Sequence, residues 1–461
     1  MDMPHPTQDR GRDAPPMTTR QRLVVVLLLG ANFMLSADFS ILNVALPEVG
    51  QAVGLKVGDF PWIATAFALP AAGLSLVFGR LGDLYGLRRM FLIGLALLAA
   101  SSLLGGVASE AVPVLAARAL QGVATAMTGP AALALLISAF DDDRQRARVL
   151  GLSGALLSGG FTFGALVGGV LVDGLSWRWA FLINVPIALA ILAATPFVVA
   201  AAHARSGVRL DVPGAISGTL GLVAIVFGFT EQSALAIAVG AALLVLFVWI
   251  ERRAPAPLVA IDMLAWPSVR WGNVAILVIF SMEAGLIYLV TLYLQDVLHL
   301  GALATGLVFG IPGLASVAAG VLAGRIVARR GARAVLLVAL LVQGGFTAPL
   351  LLLGADASAM WILIPALFVG FFGHISAVVA ATVAATMEVP EASRGLASGL
   401  TTTSQRVAST VGIPALAAVM AARADLLEGV HLAVAADVLV TAVAVMAIAA
   451  GLRARKSGVA G

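Results

Sequence analysis

From residue 23 to residue 452 the chain is an almost unbroken succession of apolar runs, each of about 17–25 residues, the length that a bilayer core asks of a helix. Fourteen such runs can be drawn, at 23–43, 60–79, 90–107, 113–139, 149–171, 179–201, 211–230, 234–250, 272–295, 304–327, 333–353, 359–385, 395–421 and 431–452. Composition agrees: 61% of the residues are hydrophobic and only 11% charged, where a soluble domain carries about a quarter charged. In hydrocarbon a backbone must satisfy its own polar groups, so runs of this kind predict an all-α polytopic membrane protein with 14 transmembrane helices.

The basic residues orient it. Of the 28 Lys and Arg, only Lys56, Arg178 and Arg423 fall on the side opposite the N-terminus, and Arg118 and Arg406 lie within runs. The rest sit in the tails and alternate loops of one side, which predicts that both termini are cytoplasmic and that the protein lies in the cytoplasmic (inner) membrane. All seven tryptophans lie near run ends, as interfacial anchors do. Residues 1–22 are polar and proline-bearing and read as a disordered cytoplasmic tail; 453–461 read as a second tail. The net charge of +4 is scattered over loops rather than gathered in a patch, which disfavours nucleic acid as a partner. With no cysteine, thiolate chemistry and cysteine-ligated metals are excluded.

One short segment occurs twice. Gly79–Arg89 (Gly-Arg-Leu-Gly-Asp-Leu-Tyr-Gly-Leu-Arg-Arg) is a glycine-broken charged turn between two runs, echoed at Gly324–Arg333. Gly79, Arg80, Leu81, Gly86 and Arg88 match Gly324, Arg325, Ile326, Gly331 and Arg333, each 245 residues on. A repeat at this scale predicts one six-helix unit used twice, at 23–201 and 272–452, with residues 202–271 supplying two inserted helices and a linker. Within the turn, Gly82 and Gly86 permit backbone that other residues resist. Asp83 has Ala328 in its place in the second copy, and Arg394 or the helix start beside it is a candidate partner across the cytoplasmic seam. Such a latch would favour a state closed to the cytoplasm.

An unpaired charge at the bilayer centre costs at least about 2.5–3.5 kcal/mol, so charges within runs are functional candidates. Four stand out: Asp38, Arg118, Glu283 and Arg406. At 1.5 Å per residue, Asp38 and Arg118 lie about 24 and about 22 Å from the cytoplasmic edge, so an ion pair is geometrically allowed. Glu283 is Asp38 displaced by the repeat offset, which predicts equivalent acids on either side of a central pathway. Arg406 lies at a similar depth to Glu283 and is its candidate partner. These groups read either as proton-coupling or substrate-binding residues or as static ties between helices. Burial makes a carboxyl hold its proton more tightly and a nearby arginine opposes this, so a change of contact or access couples proton binding to conformation. His374 reads as structural, Asp437 as solvated near the outer interface, and Asp141–Asp143 as a solvated mixed-charge loop rather than a metal site. Gly160, Gly164 and Gly168 share one helix face and read as tight packing or as a sliding contact between the halves.

Several of these segments match a known pattern. Gly79–Arg89, Leu115–Ala126 with Arg118, Gln121 and Gly122, Ala37–Pro47, and Trp177–Pro186 resemble the major facilitator superfamily, and within it the fourteen-helix drug:proton antiporter branch. The resemblance implies two six-helix bundles plus two inserted helices, with Gly79, Gly82, Asp83, Gly86, Arg88 and Arg89 as the gating loop and Arg118 in proton coupling. It implies a small-molecule substrate, protons and the lipid bilayer as partners, a monomer, and neither cofactor nor metal. Two departures are visible: Gly164 is followed by Ala165 where the branch has proline, and Ala37 and Ser40 replace Leu and Thr. The expected function is export of hydrophobic or amphipathic small molecules, such as drugs, in exchange for protons. The alternatives are a facilitator or proton symporter, and a non-transporting scaffold or sensor. A membrane-embedded enzyme is disfavoured by the short outer loops and the lack of any nucleophile or metal-ligand cluster.

Overall fold

The computed structural model describes residues 17–140, 142–200, 211–255, 257–390 and 393–452. Most of each tail expected at the termini therefore lies outside the described residues. The first helix nevertheless begins before the expected residue 23. Thr18 caps it through a reciprocal pair of hydrogen bonds with Gln21, so residues 19–22 are helical rather than tail.

The chain is helical throughout. The N-terminal part holds α1 (Thr19–Ala52), α2 (Pro61–Gly73), α3 (Ser75–Tyr85), α4 (Leu87–Val107), α5 (Ala111–Ser138), α6 (Asp143–Gly174), α7 (Trp179–Leu182) and α8 (Asn184–Val198). Then come α9 (Val212–Thr230) and α10 (Ala234–Glu251). The C-terminal part holds α11 (Pro267–Leu292), α12 (Ala302–Arg330), α13 (Ala332–Thr347), α14 (Met360–Met387), α15 (Arg394–Met420) and α16 (Leu426–Gly451). Among the described residues 11 spans are long and apolar enough to cross a membrane, or up to 12 if α2 and α3, bent by 49°, count as one. The expected fourteen is therefore met only in part. Among the described residues of α6 the apolar segment is Gly159–Gly174; in α15, Gln405, Arg406 and a run of Ser and Thr dilute the apolar residues.

The repeat is visible in the backbone. Gly86 (φ +100°) ends α3 and opens α4, and Gly331 (φ +80°), its equivalent, joins α12 to α13 in the same way. Positive φ favours glycine, which is why both copies keep it. Arg88 donates to the Val199 carbonyl beyond α8 (3.0 Å), and its equivalent Arg333 donates to the Ala449 carbonyl of α16 (3.0 Å). At the far end of α1, Gln51 donates to Asp296 at 3.5 Å across a separation of 245 residues, the repeat offset itself. A residue that touches its own repeat equivalent lies close to the axis relating the two copies.

Two faces are distinguished here as proximal, carrying the start of α1, and distal. On the distal side the halves share one apolar core, running from Ile41, Leu46 and Phe60 to Tyr288, Leu294 and Phe309. Gln295 donates to the Val44 carbonyl (2.9 Å), and Asp173 accepts from the backbone of Ala302 (3.0 Å) and Leu303 (2.8 Å). On the proximal side the core divides. One cluster draws only on the first half, among them Leu28, Phe91, Leu135 and Phe140, and another only on the second, among them Ile276, Leu336 and Ala380. Gly159 on α6 and Gly320 and Gly324 on α12 have nothing within 4 Å of where a Cβ would stand. The halves are thus packed together distally and parted proximally.

The glycine stripe resolves into two. Gly160, Gly164 and Gly168 face Phe33, Ala37 and Ile41 of α1, within one half, so they are tight packing and not the contact between halves. That contact is made by the adjoining face of α6. A Cβ on Gly169 would stand 2.7 Å from the Ala302 carbonyl oxygen, and Gly306 of α12 lies against the Ala165 carbonyl. The inserted pair behaves unequally. Helix α9 packs on α2 and α15, spanning the seam, and Thr219 donates to the Gly73 carbonyl (3.1 Å). Helix α10 has only 11% of its apolar window buried and turns its surface to lipid.

Candidate functional site

Five helices of the first half converge on Asp38, which is fully buried. Arg118 on α5 approaches it at 3.4 Å. The guanidinium also donates to Gln121 (2.9 Å) and to the Ile63 carbonyl of α2 (3.1 Å), and stacks 4.3 Å from the Phe67 ring. Gln121 in turn donates to Ser102 of α4 (2.9 Å) and to Asp38 (3.5 Å). Asn184, at the start of α8, donates to the same carboxylate at 2.5 Å. Gly122 completes the motif by letting α5 meet the Phe67 carbonyl of α2. A buried ion pair is tolerated when its remaining lone pairs and protons are met, and here nearly all are. The pair expected from helical depth is formed. Asn184 and Ser102 were not singled out from the sequence, and the one signal was a polar residue inside an apolar run.

The second half repeats the theme with different residues. Glu283 on α11 pairs not with Arg406 but with His374 on α14, at 3.2 Å. The reason is helical phase. Ser281 donates to the Ala408 carbonyl and Gly412 lies against Ser281, so these positions mark the faces on which α11 and α15 meet. Glu283 stands two residues from Ser281, and Arg406 two from Ala408; at about 100° per residue each is turned away from that contact. His374, expected to be a lone structural histidine, is thus drawn into the acid's site. Around the pair lies a cavity of about 20 Å³, room for a single water, lined also by Gln343, Thr347 and Phe371. The His374 Nδ1 and Gln343 Oε1 atoms are buried without a protein partner.

Each acid meets its partner inside its own half, Asp38 with Arg118 and Glu283 with His374, rather than across the gap. Asp437 also departs from expectation. It is 2% exposed, accepts from Thr441 at 3.3 Å, and belongs to the bundle interior because α16 turns this face to α11 and α13. The Arg406 side chain carries neither hydrogen bond nor ion pair among the described residues; its carbonyl accepts from Thr410 (2.8 Å).

In the gating segment, Gly82 lies 3.0 Å (as a Cβ) from Leu87, while Gly79 has open space. Arg80 donates to the Pro257 carbonyl (2.9 Å), tying α3 to the linker after α10. Asp83 is half-buried, Arg89 and Arg394 are exposed, and no Asp83–Arg394 latch is formed. Asp141 lies outside the described residues. Asp142 caps α6 by accepting from the Gln145 amide (2.8 Å), which gives that acid a structural use. Among the described residues no group of three His, Cys, Asp or Glu could hold a metal.

A profile of the Major Facilitator Superfamily matches residues 28–413. The chain is 33% identical over 404 residues to the puromycin resistance protein pur8 of Streptomyces alboniger, covering 85% of this chain and 80% of that one. It is 30% identical over 417 residues to the multidrug resistance protein Stp of Mycobacterium tuberculosis, covering 87% and 76%. The crystal structure of the nucleoside transporter NupG has the same fold, with a TM-score of 0.67 at 10% identity over 94% of this chain and 100% of that one. Helical halves joined at one face, a family match over most of the length and relatives named as puromycin and multidrug resistance proteins lead to one conclusion: this multi-pass membrane transporter belongs to the Major Facilitator Superfamily.

Proposed function

We propose that the protein exports small hydrophobic or amphipathic compounds across the cytoplasmic membrane in exchange for protons, by alternating access and as a monomer. The observation that carries the reading is the divided core: one shared cluster distally and two separate ones proximally. Rocking about the distal contact would exchange one packed face for the other. The proximal face is taken as cytoplasmic, from the arginine asymmetry, with both termini there. Helices α6 and α15 are taken to cross as well, giving fourteen spans arranged as two six-helix bundles (23–201 and 272–452) and the inserted pair. In this reading the unmade Asp83–Arg394 latch belongs to the opposite state, closed to the cytoplasm.

Proton coupling is assigned to the two intramembrane acids, Asp38 and Glu283. Asp38 shares its proton affinity with Arg118, and Glu283 shares its own with His374, one site in each half. Names of relatives such as the puromycin and multidrug resistance proteins support drugs as cargo. In proteoliposomes under an imposed pH gradient, Asp38→Asn or Glu283→Gln is expected to abolish drug efflux while leaving the protein folded. Wild-type proton-driven flux in both variants would remove the coupling role.

A further inference from the structure

The two intramembrane arginines are treated in opposite ways. Arg118 is fully occupied: an acid, an amide oxygen, a backbone carbonyl and an aromatic face all meet it. The Arg406 guanidinium has no hydrogen-bond or ion-pair partner among the described residues, although it stands in the middle of α15. The acids that might have served it are committed elsewhere or turned away. Asp38 holds Arg118 and Asn184, Glu283 faces His374 on the other side of α11, and Asp437 accepts from Thr441.

The side chain points across the boundary between the halves. One turn along α15, Thr410 donates to the Ala68 carbonyl of α2 at 3.2 Å, so this face of α15 looks at the first half. The Arg406 Nη2 atom lies 3.5 Å from where a Cβ on Gly129 of α5 would stand. Helices α5 and α15 are not packed helix on helix, so the guanidinium reaches over the gap, and glycine at 129 keeps its path clear. Its neighbours one turn away on this face are Thr402, Thr403, Ser409 and Thr410, and beside them Val407 and Val411 pack with Leu69 of α2. In the parted state water in the gap can solvate the cation. When the gap closes that water leaves, and an unpaired guanidinium becomes costly. A planar fork of donors is suited to a carboxylate held bidentately.

We propose that Arg406 is the anion-recognition point of the substrate site, and that the cargo class is an amphipathic organic acid, a carboxylate on an apolar body. This rests on the transport reading above but concerns which charge is recognised. Glu283 is paired with His374 inside its own half, while the unpaired side chain that Arg406 extends over the gap is positive.

The test uses three probes with one apolar body: pyrenebutyrate, pyrenebutanol and a pyrenebutyl trimethylammonium salt. Binding to the purified full-length protein and flux from proteoliposomes are measured for the wild type, Arg406→Gln and Arg406→Lys. The wild type is expected to bind the carboxylate about tenfold or more tightly than the alcohol, equivalent to about 1.4 kcal/mol. Arg406→Gln should lose that preference while still binding the alcohol, which shows that it is folded, and Arg406→Lys should keep part of it. Equal binding of carboxylate and alcohol by the wild type overturns the proposal, as does a preference unchanged in Arg406→Gln. Equal loss of flux for all three probes with no carboxylate preference in binding would make Arg406 a gating group and also overturn it. A carboxylate preference lost in Arg406→Gln, with no flux of any probe, would uphold the site and count against transport.

Discussion

Asp38 and Arg118 are both buried and each neutralises the other. Removing one partner of such a pair strands a charge and typically costs about 3–5 kcal/mol, whereas removing both can be nearly neutral. Asp38→Asn is therefore expected to lower the unfolding temperature in detergent and to stop pH-driven efflux. The double variant Asp38→Asn with Arg118→Gln is expected to recover most of the stability and none of the efflux. Recovery of both together would identify the pair as a tie between helices and nothing more. The comparison separates holding from coupling, which a single substitution cannot do.

At the scale of elements, α6 crosses α12 in close contact between the halves, and in the proposed cycle this crossing is the joint on which they pivot. Gly169 and Gly306 bring the two backbones into direct contact, with no room for a side chain on either. Farther along α12, Gly320 faces open space. Gly306→Ala is accordingly expected to reduce transport at least several-fold at normal expression, and Gly320→Ala to leave it near wild type; flux per unit of purified protein is the measurement. Similar losses in both would mean that small residues matter on α12 for reasons other than this crossing. The inserted helices play a different part. Because α9 lies on both α2 and α15, it covers the side of the gap where the halves meet lipid, and α10 faces outward behind it.

For the whole molecule, the arrangement is closed distally and parted proximally. Gln51 and Asp296 meet at the closed end near the repeat axis, and the chain has no cysteine to remove before a cross-link is placed there. Gln51→Cys combined with Asp296→Cys is expected to form a disulfide under mild oxidation and to halt transport until reductant is added. Uninterrupted flux with the cross-link formed would mean that the distal contact does not open during the cycle. On the proposed reading, Arg406 in the gap and the two acids paired within their own halves divide the labour: cargo charge would be read between the halves, and protons held within them.

Much of this was already written in the order of residues. Apolar runs of bilayer length dictate helices, because lipid offers no partner to a free peptide group. The offset of 245 residues dictates two copies, and Gly86 and Gly331 adopt the same positive φ because they end the same helix in each. Depth along a helix, counted from its ends, even brought Asp38 to the level of Arg118. What sequence could not supply was rotation. A helix has a side facing every direction, and only the packing of α15 on α11 turned Glu283 toward His374 and Arg406 toward the gap, although depth alone allowed them to pair. Likewise Gly164 faces α1 while its neighbour Ala165 faces α12. Local order along the chain settles how deep a residue sits; which neighbours it meets is settled by the contacts of the whole bundle, because one residue's step turns a side chain by about 100°.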